Sequence, residues 1–199
     1  MARDGKPATR VGRRARLDPE ARRAQILKAA GQLLETSGVA AMTIEDVADA
    51  AGVSRSLVYT YFGDRDGMVA EVYLRVLEEV DKAVPPGMPP DRATSTQRIS
   101  GCLRFAREHP GAWRLLVTDS VRRHPTVVAA RESRVVRLTA GVDGAAPPLV
   151  ADAALGLIEA GVLHWIEHRQ LPVEKAAEFL AGILWSGLAG LSTAKTARG

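Results

Sequence analysis

The sequence has little cysteine, few aromatic residues and few long apolar runs. Its single cysteine, Cys102, excludes a disulfide framework within the chain and fits a reducing cytoplasm. Aromatic residues make up only 5% of the chain, and no segment alternates apolar and polar residues with a period of two, so strands are not predicted. No run of about 18 uncharged apolar residues is present, so we expect no membrane span; residues 179–194 come nearest.

The composition that remains is that of a soluble helical protein. Apolar residues form 46% of the 199 positions and charged residues 25%, with a formal net charge of +4. Apolar residues recur at helical spacing throughout, which predicts an all-α fold. Nine helical segments are predicted, at about residues 18–37, 43–51, 54–62, 64–84, 91–108, 110–123, 125–140, 148–170 and 172–194.

The first 17 residues form a basic segment with almost nothing apolar to bury. It holds six cationic side chains against one acid, Asp4. This composition predicts an arm that is disordered when free. Two interpretations stay open: a solubilising tail, or an arm that neutralises phosphates or enters a minor groove once the body has docked.

Residues 42–65 predict two short helices joined by a tight turn. Thr43, with Asp46 three residues later, has the pattern of a capping box at the start of the first helix. Gly52 permits a left-handed turn, and Ser54 is a good N-cap for the second helix. This is the spacing of a helix-turn-helix, whose second helix can enter a DNA major groove.

Several motifs of residues 20–80 resemble, in order and spacing, those of the tetracycline-repressor (TetR) family. They are Ile26-Leu27-x-x-Ala30, Gly38, Thr43-Ile44, Val47-Ala48, Ala51-Gly52-Val53-Ser54, Tyr59-x-Tyr61-Phe62 and Asp64-Arg65-Asp66. The resemblance implies a three-helix DNA-binding head, a larger ligand-binding body, and a homodimer formed by the last two long helices. The expected divisions are the basic arm at 1–17, the head at 18–65 with its helix-turn-helix at 43–62, and the effector-binding and dimerisation body at 66–199.

The second helix of the motif is only about two turns long, too short to be stable alone. We expect packing of Val53, Val58 and Phe62 to hold it, which leaves its polar side chains outward. The predicted base-reading residues are Arg55, whose fork fits guanine, Leu57 and Thr60. The predicted DNA-backbone contacts are Thr43, Ser54, Tyr59, Tyr61 and Arg65.

For several of these residues, a role other than the predicted DNA contact stays open. Tyr59 and Tyr61 can serve head packing, and Arg55 can lie on a merely solvated surface. Glu45, on the preceding helix, can accept a hydrogen bond from cytosine N4. Gly67 is a departure from the family pattern, since relatives usually place a better helix former at that position.

A ligand pocket is predicted around the helix break at Pro110, in the region where the resemblance places it. The candidate lining is Phe105, His109, Trp113, Leu116, Val117 and Ser120. A pocket of this kind is mostly apolar with a few polar groups. Core packing is the alternative for each of these residues. An apolar or weakly acidic organic effector is favoured, and no cofactor is expected.

His164, Glu167 and His168 have the H-x-x-E-H spacing of an inverted zinc-protease motif. The two histidines share one helix face and could bind a metal together. The residues after His168 offer only two further acids, Glu174 and Glu178, as a third ligand. Packing at a dimer interface, for His164 or Trp165, is the competing interpretation, and we expect no metal site.

The last two predicted helices carry much apolar surface interspersed with small residues, which favours a self-complementary dimer face. The alternative is that one of the two helices belongs to the core of its own chain. The predicted interface residues are Leu155, Ile158, Val162, Trp165, Leu180, Ile183, Leu184 and Leu188.

These features together predict a sequence-specific DNA-binding regulator, a homodimer released from a palindromic operator by a small-molecule ligand. The segment from Asp66 to Val84 is expected to transmit the signal because it belongs to both halves. Corepression and activation remain possible. The alternatives are a zinc-dependent hydrolase using the histidine motif, and an architectural DNA-binding protein with no effector.

Overall fold

A computed structural model describes residues 18–84, 91–139 and 148–196, and the predicted basic arm at 1–17 lies outside them. The described residues contain ten helices and no strand, which confirms the all-α prediction. The helices are α1 (Pro19–Ala41), α2 (Ile44–Ala51), α3 (Arg55–Phe62), α4 (Arg65–Ala83), α5 (Arg92–Glu108), α6 (Pro110–Leu116), α7 (Asp119–Arg122), α8 (Pro125–Thr139), α9 (Pro148–His168) and α10 (Val173–Thr196).

The predicted helix over residues 110–123 is two helices rather than one. The backbone of Thr118 is extended, with φ −71° and ψ 113°, and this separates α6 from α7. The Thr118 hydroxyl donates to the Arg114 carbonyl at 2.8 Å, so the side chain serves the end of α6 instead of continuing the helix. Proline at the start of α6, α8 and α9 agrees with the prediction that this residue opens helices in the body.

Local capping sets the other boundaries of the head. Asp18 accepts from the Glu20 N–H at 2.7 Å at the start of α1. The Thr43 hydroxyl donates to Asp46 at 2.6 Å and accepts from its N–H at 3.1 Å, completing the predicted box. Gly52 ends α2 with φ 64°, a left-handed conformation that favours glycine. These contacts turn the chain sharply between α2 and α3.

The glycine at position 67 has a steric explanation that the sequence did not indicate. A Cβ at this position would lie 2.3 Å from the carbonyl oxygen of Phe62. The glycine therefore lets the first turn of α4 approach the end of α3. The departure from the family pattern at Gly67 therefore has a structural reason, since this close approach positions the two helices.

One apolar core runs through both halves of the described chain. Ile26, Ala30 and Leu34 of α1 belong to the same buried cluster as Leu103 of α5 and Ala177 of α10. Cys102 is buried in this cluster, and burial raises the pKa of its thiol to about 11. The cysteine is therefore a small core residue, as the sequence indicated.

Helix α1 reaches beyond the head and contacts α6 of the body. The Glu35 carboxylate accepts hydrogen bonds from the backbone N–H groups of Gly111 at 2.7 Å and Ala112 at 2.9 Å. These N–H groups belong to the first turn of α6, where helix donors need outside partners and a negative charge is favourable. A side chain of the head thus caps a helix of the body.

Gly111→Ala should lower the free energy of unfolding by about 1–3 kcal/mol, the usual cost of overpacking. A Cβ on Gly111 would lie 2.7 Å from both Glu35 Oε2 and the Leu34 carbonyl oxygen, so α1 and α6 would have to separate. Urea unfolding measures the change. The control is Gly31→Ala in α1, where nothing lies within 4 Å of the added carbon, and a gain of roughly 0.5–1 kcal/mol is expected. Equal effects of the two substitutions would contradict the close approach.

Helix α9 is long and apolar. Residues Leu149–His168 could cross a membrane by length and composition alone, although Asp152, Glu159 and Glu167 interrupt the apolar run, in agreement with the sequence prediction that no uncharged run of that length is present. The apolar composition has a different origin in this fold. Ala151, Val162 and Ile166 are buried against neighbouring helices, and Glu159 is buried in ion pairs.

Candidate nucleic-acid interface and the body behind it

Helix α3 is anchored by its apolar side. Val58 is fully buried, Phe62 is nearly so, and Val53 packs partly against the core. The guanidinium of Arg23 lies 5.3 Å from the centre of the Phe62 ring and pairs with Glu71 at 2.6 Å, which ties α1 and α4 to the end of α3. The prediction that Val53, Val58 and Phe62 hold this short helix is confirmed.

The opposite side of α3 is polar and exposed. Arg55, Ser56, Tyr59 and Thr60 are exposed, and Leu57 is half-buried. The Thr60 hydroxyl donates to the Ser56 carbonyl at 2.8 Å, so its proton is used within the helix while the oxygen still faces outward as an acceptor. This face lies on a rigid support, as insertion into a groove requires.

Ser54 and Thr43 begin the two helices of the motif, and both are exposed. The Ser54 hydroxyl accepts from the Leu57 N–H at 3.3 Å and lies 3.2 Å from the Ser56 hydroxyl. Each hydroxyl therefore caps its own helix while remaining at the surface. A phosphate contact by either residue would add to this capping role.

Arg55 forms an ion pair with Glu45 of α2. Both side chains are more than half exposed, so the pair contributes little to stability and can open at small cost. The sequence singled out both residues as possible base contacts but did not indicate that they meet. The pair lies at the exposed surface formed by α2 and α3, and base reading by Arg55 stays a prediction.

Arg65 has a different environment from the one predicted. Its Nε donates to the Met42 carbonyl at 2.8 Å, its Nη2 donates to the Val39 carbonyl, and Nη1 lies 3.6 Å from Asp66. The guanidinium thus satisfies carbonyls at the end of α1 and joins α4 to it. Its donors therefore have a structural use within the head, and a DNA-backbone contact by Arg65 stays a prediction.

The two tyrosines of α3 differ. Tyr59 is exposed, which keeps a DNA contact open to it. Tyr61 packs partly against the core, with its ring centre 6.2 Å from that of Phe62. The packing alternative therefore fits Tyr61 better than Tyr59.

The six predicted pocket residues divide between core and surface. Phe105 lies next to His109 and Trp113, with ring centres 5.0 and 6.4 Å apart respectively. Trp113 and Leu116 are buried in the core, Val117 is half-buried, and His109 and Ser120 are exposed. The three rings form the cluster that the sequence indicated, but as packed side chains.

A groove of about 460 Å³ lies elsewhere in the body, between α8 and α9, and contains none of those six residues. Its wall is apolar and its remaining lining is charged. The lining residues are Arg122, Val128, Arg131, Glu132, Val135, Val136, Leu149 and Asp152. Sequence reasoning missed this groove because its lining comes from three helices that only the fold brings together.

An ion cluster of Glu159, Arg122 and Arg131 forms the floor of the groove, and its two arginines belong to the lining. The Glu159 carboxylate, 5% exposed as a residue, accepts from Arg131 at 2.7 Å and from Arg122. Arg131 also donates to the Tyr73 hydroxyl at 3.1 Å, which connects α8 to α4. Burial alone would lower the pKa of Arg131, but the bonds to Glu159 outweigh it and raise that pKa above its ordinary value.

The histidine motif on α9 brings its two rings together. His164 and His168 stack with ring centres 4.1 Å apart, and His168 Nδ1 lies 2.9 Å from the His164 carbonyl oxygen. Within the described ranges, no group of three or more histidine, cysteine or acidic side chains is arranged to hold a metal ion. The alternative of a zinc-dependent hydrolase therefore has no observation in its favour.

The predicted dimer residues also divide. Val162 is fully buried, and Leu180 is buried with its Cδ2 only 2.6 Å from where a Cβ of Gly161 would lie. Leu180 therefore packs against α9 within one chain and Val162 belongs to the core of that chain, which corrects their assignment to the interface. Leu155, Ile158, Trp165 and Leu184 are half-buried, Ile183 is exposed, and the side chain of Leu188 lies outside the described part.

Comparison with known proteins agrees with this geometry. Residues 26–72 match the family described as bacterial regulatory proteins, tetR family. The chain is 36% identical over 63 residues to the HTH-type transcriptional regulator BetI of Stenotrophomonas maltophilia, a match that spans 32% of each protein. It is 26% identical over 201 residues to the HTH-type transcriptional activator FasR of Mycolicibacterium smegmatis, covering 92% of this chain and 90% of that one.

A solved TetR-like transcriptional regulator from Rhodococcus sp. RHA1 has the same fold, with a TM-score of 0.61 and 28% identity over 88% of this chain and 100% of that one. The anchored helix-turn-helix and the helical body behind it define a helix-turn-helix transcriptional regulator. The head of the chain thus matches the tetR family, and the fold of the whole chain is that of a TetR-like regulator.

Proposed function

We propose that this chain acts as a homodimer that inserts two copies of α3 into successive major grooves of a palindromic operator. A small molecule bound in the body is proposed to release it, so that the protein acts as a repressor. The observation that carries the proposal is the exposed polar face of α3, held on a buried apolar support by Val58 and Phe62. The proposed place of action is the cytoplasm.

Selection from random duplex DNA with the full-length protein tests the DNA-binding half. The enriched sequences should contain two inverted half-sites about 10–10.5 base pairs apart, or a multiple of that spacing, because a twofold-symmetric dimer presents two equal helices. Enrichment of no site over random competitor would overturn the proposal. Enrichment of a single asymmetric site would contradict its dimeric form.

The direction of regulation is tested with a promoter that carries the selected operator. Transcription in a purified system should fall when the protein is added. The related FasR is named an activator, so a rise in transcription is the contrary outcome. A protein whose melting temperature no small organic molecule shifts would support the effector-independent alternative.

The dimer is proposed to form through one side of α10 together with α9. Phe179 and Ile183, one helical turn apart on α10, are 65% and 45% exposed in the single chain. Large apolar side chains at such exposure on adjacent turns are typical of a covered surface. The sequence indicated Ile183 as an interface residue; the structure adds Phe179.

Ile183→Glu or Phe179→Glu should weaken the dimer by roughly 100- to 10,000-fold, since each buried apolar side chain contributes about 1.5–3 kcal/mol and a twofold interface buries two copies of it. Sedimentation velocity over a concentration series measures the change. The matched control is Gln97→Glu, which adds the same charge to an exposed residue of α5. Unchanged dimers in both interface variants would show that this side of α10 is free in solution.

A further inference from the structure

We propose that the groove between α8 and α9 binds an organic monocarboxylate with an apolar tail, and that this ligand is the effector. The proposal that the ligand binds depends only on the groove, whereas the proposal that it releases DNA rests on the function proposed above. The site differs from the pocket suggested by the sequence around Phe105 and Trp113, since its lining includes none of the six residues predicted there.

The wall of the groove fits an apolar tail. Val136 of α8 and Leu149 of α9 are 66% and 78% exposed, and Val128 is exposed beside them. Apolar surface of this kind, facing a groove of about 460 Å³, gains free energy when a ligand covers it. The tail of the ligand should therefore lie between α8 and α9.

The charges favour an anion at the floor. Two guanidinium groups, of Arg122 and Arg131, share the one buried carboxylate of Glu159, so this cluster carries an excess positive charge. Asp152 lies 3.7 Å from Arg131 but is mostly exposed, and Glu132 is exposed at the rim. Water screens both rim carboxylates far more than it screens the buried cluster.

Arg122 has donors to offer. Within the described ranges its guanidinium makes one hydrogen bond, from Nη2 to Glu159, which leaves Nε and Nη1 for a ligand. A ligand carboxylate beside these nitrogens would accept charge-assisted hydrogen bonds from Arg122, whose only carboxylate partner in the described ranges is the shared Glu159. A ligand cation would instead lie against two guanidinium groups.

The floor of the groove connects to the head by two routes. The Glu159 carbonyl accepts from the indole Nε1 of Trp113 at 3.1 Å, and the first turn of α6, to which Trp113 belongs, is capped by Glu35 of the head. Arg131 also holds Tyr73 of α4. A ligand that draws Arg122 and Arg131 away from Glu159 would alter the contacts of Glu159 with α6 and of Arg131 with α4. Linkage requires that the ligand bind one arrangement of these helices more tightly than the other.

Calorimetry on the full-length protein tests the binding with octanoate, octanol and octylammonium, which share a tail and differ in charge. Octanoate should bind at least ten-fold tighter than octylammonium. Arg122→Gln and, at the exposed wall, Val136→Asp should each weaken octanoate binding at least ten-fold. The control Arg123→Gln, on the exposed neighbour that pairs with Asp119, should leave its affinity unchanged. Equal binding of the three probes, no binding of octanoate, or full affinity in both groove variants would overturn the site.

The regulatory step is measured separately, by titrating octanoate into the complex with the selected duplex. Octanoate should weaken DNA binding by roughly 5- to 150-fold, the usual range of coupling between sites. Glu35→Gln should keep the octanoate affinity and reduce this factor, since α6 loses its charged cap. Octanoate that binds without weakening the complex would overturn its role as effector. Failure to select any duplex would overturn the DNA function and leave the calorimetric result intact.

Discussion

Replacing Glu159 by glutamine should lower the free energy of unfolding by about 3–5 kcal/mol, the usual cost of removing one partner from a buried ion pair. The substitution keeps the size of the side chain but leaves Arg122 and Arg131 without the carboxylate that they share. Two partly buried guanidinium groups would then face each other across a neutral amide. Urea unfolding followed by circular dichroism measures the change.

Glu167→Gln is the matched control, because Glu167 lies on the same helix and is exposed. A surface substitution of this kind usually changes stability by less than about 0.5 kcal/mol. If Glu159→Gln cost no more than its control, the cluster would contribute nothing to the fold. The proposed route from the groove through Arg131 to Tyr73 of α4 would then lose its physical basis.

Arg55→Ala should remove about 1–3 kcal/mol of discrimination between the selected operator and a variant changed at the contacted base pair. This corresponds to roughly 5- to 150-fold in relative affinity. The expectation follows from an exposed guanidinium at the start of α3, held only by a surface pair with Glu45. Competition binding with the two duplexes measures the ratio.

Two further measurements separate base reading from general attraction. A base-reading arginine should leave the dependence of affinity on salt nearly unchanged, whereas loss of a phosphate contact reduces the salt slope by about one. Glu45→Gln removes the ion pair and keeps the arginine, so operator affinity should be retained or increased. Unchanged discrimination in Arg55→Ala would move base reading to other residues of α3.

The head was largely predictable because its signals are local. The Thr43–Asp46 box, the Gly52 turn and the Ser54 cap each depend on residues within a few positions of one another. The packing of Val58 and Phe62 followed from helical periodicity. Arg65 was harder to interpret, since its acceptors are carbonyls 23 and 26 residues earlier in the chain, and no sequence pattern marks a carbonyl.

The body was predictable in class but not in detail. Apolar periodicity indicated the long helices α8, α9 and α10, yet it could not separate a face that packs inside the chain from one that remains exposed. Val162 and Phe179 show this, since both are apolar and only Phe179 is exposed. The groove depends on the relative positions of three helices, which tertiary packing fixes.

The cap that Glu35 places on α6 has a consequence for engineering chimeric regulators. A head grafted from another protein onto this body must bring a hydrogen-bond acceptor at position 35. Without it, the N–H groups of Gly111 and Ala112 lose their hydrogen-bond acceptor where head and body meet. The bodies that accept this head must in turn carry a small residue at position 111. Positions 35 and 111 should therefore be exchanged as a pair. The boundary of the graft is then defined by contacting residues and not by one position in the sequence.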